Sequence, residues 1–134
     1  MSRHLARETA MAVVFEKIFG ESSPTINEYL QKNMKLNEED NRYVAETTDG
    51  VFAHIEEIDR LIGENSIGWK PERLPKVDLA IMRLAIYEIL FEPETAAEVA
   101  IDEAVELAKK YSTAQSAQFI NGVLDAVYKK TEDK

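Results

Sequence analysis

The stretch from Val77 to Phe91 is apolar on nearly every side of a helical wheel, and it constrains the chain more than any other feature. A helix without a polar stripe has to be surrounded. The run is shorter than the roughly 20 apolar residues of a membrane span, and Arg83 and Glu88 interrupt it, so other helices of the same chain must cover it. A guanidinium inside such a bundle needs a carboxylate. Glu103 or Glu106, on the next helical segment, is the expected partner of Arg83.

The rest of the chain supplies the covering helices. From Arg3 to about Phe19, the residues Ala6, Ala10, Val13, Val14 and Ile18, with Met11 and Phe15, form one broad apolar face at helical spacing. Gly20 stops that helix, and Ser23-Pro24 opens a short one to about Lys32. Asn37 is the expected cap of a long third helix, with Glu38, Glu39 and Asp40 at the positive end of its dipole. Its apolar pattern runs from Tyr43 through His54 to Ile62 without a break. The segment 63–75 holds two of the five glycines, two of the four prolines and Trp69, the composition of a connection. Beyond the central run, Thr95 with Glu98 and Ser112 with Gln115 have the spacing of capping boxes ahead of two further amphipathic helices. Gly122 falls inside the last of these, where glycine costs about 1 kcal/mol relative to alanine, and it points to close helix approach. No segment alternates with period two. The expected fold is all-α, a single compact domain over residues 1–134. It has about six or seven helices in two packed helical-bundle subdomains, about 1–68 and 69–134.

Chemistry has little to stand on. There is no cysteine, no glycine-rich phosphate loop, and no metal-ligand spacing around His4 or His54. No catalytic residue, metal or cofactor is expected. The first residues lack the apolar core of a signal peptide, so a cytoplasmic location and no membrane contact are expected. A net charge of −9 repels nucleic acid on average, which confines any RNA contact to a local basic site. Such a site is offered by the start of the chain, where Arg3, His4 and Arg7 precede the first carboxylate, Glu8.

Three stretches resemble the NusB family of transcription antitermination factors. They are Val77-Asp78-Leu79-Ala80-Ile81-Met82-Arg83-Leu84-Ala85-Ile86-Tyr87-Glu88-Ile89-Leu90, Ile101-Asp102-Glu103-Ala104-Val105-Glu106-Leu107-Ala108-Lys109-Lys110-Tyr111, and Ser116-Ala117-Gln118-Phe119-Ile120-Asn121-Gly122-Val123-Leu124-Asp125. Ala6-Arg7-Glu8 extends the likeness to the first helix. The resemblance implies a NusB-like fold and a protein that binds the boxA element of nascent ribosomal RNA together with NusE, a small-subunit ribosomal protein. It implies assembly of an antitermination complex on RNA polymerase. It also implies an RNA surface made of Arg3, His4, Arg7 and Phe15 from the first helix and Gln118 and Phe119 from the last, with Glu72 and Asp78 as contacts for NusE. The chain departs from the family where His4 and Leu5 replace arginines and Gln118 replaces a lysine. The alternative reading is an acidic helical protein–protein interaction module of the same fold that has lost RNA binding.

Overall fold

The apolar run forms α4 (Lys76–Phe91), and it packs against every other helix described in the computed structural model, which covers residues 3–18, 37–66 and 70–132. Its neighbours are α1 (Arg3–Lys17), α2 (Glu38–Ala53), α3 (Ile55–Asn65), α5 (Ala97–Tyr111) and α6 (Ala114–Glu132), with a 3-10 turn at Pro71–Arg73. The described residues contain no strand. Ile81, Met82 and Ile86 are fully buried, each burial worth about 1.5–3 kcal/mol, and one hydrophobic cluster joins α4 to all the other helices. No described helix is long and apolar enough to cross a membrane. The expected helix from Pro24 to Lys32, the Gly20 stop of the first helix and Trp69 lie outside the described residues.

Several local expectations are met. Asn37 caps α2, its side-chain oxygen accepting from the Asp40 backbone N–H at 2.8 Å. Ala6, Ala10, Met11, Val13 and Val14 are buried from α1, and Ile120, Val123, Leu124 and Val127 from α6.

Others are corrected. The long third helix breaks at His54, whose backbone (φ −116°, ψ 21°) leaves helical geometry between α2 and α3. The His54 ring stacks on Phe91 at 3.9 Å between centroids, so a contact with the end of α4 holds the break. Periodicity cannot register this, because the apolar spacing continues across it. Arg83 pairs with Asp59 of α3, through Nε and Nη2 at 2.9 and 2.8 Å, rather than with Glu103 or Glu106. Its side of α4 faces the preceding helix. Neither expected capping box forms. Ala96 stands at the start of α5 without a side-chain cap, and at the start of α6 it is Thr113 Oγ1 that accepts from the Ser116 N–H at 2.9 Å. Gly122 is exposed with open space around it, whereas at Gly50 a β-carbon would clash with Cε1, Cζ and the hydroxyl of Tyr87, at the ring edge. Close approach of α2 to α4 therefore uses Gly50.

Candidate nucleic-acid interface

The residues expected to meet RNA and its partner fall in two places. The first is the start of α1. Its backbone begins at Arg3, and the next turn carries the side chains of His4, Arg7 and Glu8 toward α4 and α5. His4 is partly exposed and its Nδ1–H donates to Glu103 Oε2 at 2.6 Å. Arg7, expected on the surface, is instead buried at 7% exposure. Its Nε–H is shared by the two carboxylate oxygens of Glu88 at 3.1 and 3.0 Å, and Nη1 lies 3.9 Å from Glu103. Tyr43 of α2 donates its hydroxyl to the same Glu88 carboxylate. These contacts join α1, α2, α4 and α5 and leave the guanidinium largely out of solvent. The correction has a physical reason. Glu88 is fully buried in α4, and the only stable neighbour for a buried carboxylate is a cation or a set of donors.

One turn along, Glu8 is buried and accepts at Oε1 from Lys110 Nζ at 2.9 Å and from the Tyr111 hydroxyl. Burial pushes its carboxyl upward, but the Tyr111 and Lys110 hydrogen bonds and the Lys110 charge outweigh that, leaving it below its ordinary value of 4.5. Tyr111 is raised by burial and by the hydrogen bond to Glu8, and Lys110 by the bond to Glu8 and its charge. The end of α5 is thus fastened to α1 by a charged hydrogen-bond set. Phe15, farther along α1, is half-buried against the core.

The second place is a cavity of about 330 Å³ where the starts of α4 and α6 meet, lined by Leu74, Pro75, Asp78, Thr113, Gln115, Ser116 and Phe119. It brings together Asp78, expected to face the partner, and Phe119, expected to face RNA. Asp78 is 2% exposed, and its Oδ1 has no hydrogen-bond partner among the described residues. As a first-turn carboxylate of α4 it is favoured by the helix dipole, and no cation among the described residues is paired with it. Phe119 is half-buried, packed on the core while lining the cavity. Gln118 is exposed one residue earlier, and Glu72 is exposed on the 3-10 turn. The structure therefore separates the α1 set from Phe119 and Asp78.

Sequence reasoning passes over Glu8, Glu103, Lys110 and Tyr111 as site residues. The one signal that could find them is Lys109-Lys110-Tyr111 at the end of a helix, where cations complement the dipole and an aromatic follows.

Comparison with known proteins bears on this geometry. The family model described as "NusB family" matches residues 4–129. The transcription antitermination protein NusB of Acetivibrio thermocellus is 46% identical over 131 residues, covering 96% of this chain and 90% of its own. That of Agathobacter rectalis is 42% identical over 127 residues, 92% of this chain and 97% of its own. Among solved structures, NusB from a crystal of the antitermination factors NusB and NusE in complex with double-stranded RNA superposes with a TM-score of 0.85. It is 29% identical, over 96% of each chain. A family match over nearly the whole length, relatives above 40% identity and the shared helical fold lead to one conclusion: this chain belongs to the NusB family.

Proposed function

We propose that this protein is a transcription antitermination factor. In this reading it binds the boxA element of nascent ribosomal RNA together with NusE and helps assemble an antitermination complex on RNA polymerase. It acts as a cytoplasmic, non-catalytic adaptor, and the halves 1–68 and 69–134 form one RNA-binding domain. The observation that carries the reading is the likeness, across 96% of this chain, to a NusB crystallised with NusE and RNA. Within it, Arg3, His4, Phe15, Gln118 and Phe119 contact RNA, Glu72 and Asp78 face NusE, and Arg7 holds the start of α1 on α4 rather than touching phosphate.

The test is a fluorescence-anisotropy titration with a boxA single strand and a scrambled strand, with and without NusE, over a salt series. Preference for boxA, strengthened by NusE, is the expected result. With two or three phosphates neutralised, log affinity falls against log salt with a slope of roughly −1.4 to −2.1. Equal or absent binding of both strands in the presence of NusE would end the reading. The second reading, a protein–protein module of the same fold, is favoured by one observation, the enclosure of Arg7 by Glu88 in a chain of net charge −9.

A further inference from the structure

Among the described residues, Tyr111 and Val99 are the two large apolar side chains that stand exposed, Tyr111 at 43%. The tyrosine is held in place while its ring stays open to water. Its hydroxyl donates to Glu8 Oε1, the atom that Lys110 Nζ also reaches at 2.9 Å, and Lys110 Nζ lies 5.4 Å from the centre of the ring. Lys109, two residues before Tyr111 and so on another face of the helix, is exposed and 3.7 Å from an equally exposed Glu106. Core packing does not account for a ring left nearly half in solvent. A hydrogen bond at its far end fixes the ring plane before any ligand arrives, so stacking on it sacrifices little side-chain freedom. The carboxylate beneath, Glu8, is buried, while the Lys110 side chain bonded to it is more than half exposed, so the cation of that pair is the part that faces outward.

We infer that the end of α5, Tyr111 with Lys110, is a contact surface for single-stranded RNA. The ring takes one base and the Lys110 ammonium takes the phosphate beside it. This rests on the RNA reading given above and adds residues for which the family resemblance supplies no role. His4, bonded to Glu103 two turns earlier on α5, continues the surface toward the start of α1. The polar lock between Glu8, Lys110 and Tyr111 then has two tasks, joining α1 to α5 and presenting the ring.

The experiment is RNA titration of the full chain and its variants with NusE present, alongside thermal melts. Replacing the ring by Tyr111→Leu is expected to weaken boxA binding about tenfold, within the range of one lost base stack, whereas Tyr111→Phe keeps the ring and stays within about threefold. Lys110→Gln is expected to make the salt slope shallower by about 0.7, the share of one phosphate on a single strand. A measurement on the unsubstituted protein avoids any folding defect: the Tyr111 ring proton resonances should move upfield as RNA is added. Tight boxA binding with unchanged affinity in Tyr111→Leu and no ring shift overturns this surface and leaves the RNA reading standing. Absence of RNA binding by the unsubstituted protein overturns both.

Discussion

The two polar regions of the molecule treat buried charge in opposite ways. Where α1 meets α4 and α5, Arg7, Glu8 and Glu88 are all buried, and each has a partner of opposite charge at hydrogen-bond distance, although Glu8 Oε2 has no hydrogen-bond partner among the described residues. At the α4–α6 cavity Asp78 is as deeply buried, yet one of its oxygens has no partner among the described residues and the space beside it is open. A carboxylate paired with a cation holds helices together. A buried carboxylate short of a donor, next to a half-buried aromatic ring, is a place where an incoming donor has something to gain.

Three substitutions test that contrast. The largest effect is expected from Glu88→Ala, which strands the Arg7 guanidinium and removes the acceptor of Tyr43. Urea unfolding should register a loss of about 3–5 kcal/mol. A loss below about 1 kcal/mol would mean the pair is not holding the helices. Next comes Glu8→Gln, expected to cost about 1.5–3 kcal/mol at neutral pH for its charge-assisted hydrogen bonds. Its pH signature is specific. Because the folded carboxyl titrates below its unfolded value, the stabilisation from Glu8 is complete above about 4.5 and is lost as the pH falls through the lower folded value. Denaturation curves between pH 3 and pH 6, settings on the order of the carboxylate range, should therefore converge for the two proteins on the acid side. Curves that stay parallel would remove the network from the acid response. The smallest effect is expected from Asp78→Asn. Losing a dipole-favoured charge and relieving an unpaired one oppose each other, and stability should change by less than about 1 kcal/mol while NusE binding weakens. A stability loss matching that of Glu88→Ala would erase the distinction between the two regions.

The same contrast explains what the sequence makes legible. The central place of α4 can be read from composition, because burial on all sides leaves no polar stripe to conceal. The cap at Asn37 is local and equally readable. Pairings that cross the chain are not. Arg7 and Glu88 are 81 positions apart, and nothing in a helical start rich in cations distinguishes an arginine bound for the core from one in water. Arg83 shows the same blindness, since its helix offers a carboxylate on each side in sequence and only the packing selects Asp59. Gly50 and Gly122 differ for that reason too: each is a glycine within a helical pattern, and only the ring of Tyr87 makes one of them necessary. For the site, residue types point to the starts of α1 and α6, but whether a side chain turns inward depends on neighbours from distant segments.

The position of α4 along the chain has a consequence for biogenesis. The polypeptide is made from its first residue onward, and α1, α2 and α3 are complete before the helix that covers them exists. From the end of α2 at Ala53 to the end of α4 at Phe91 a ribosome needs about 2–8 s at about 5–20 residues per second. During that interval the buried faces of α1 and α2 have, among the described helices, one another and α3 to lie against, so the nascent chain passes through a sticky, unfinished state that closes when its hub is delivered.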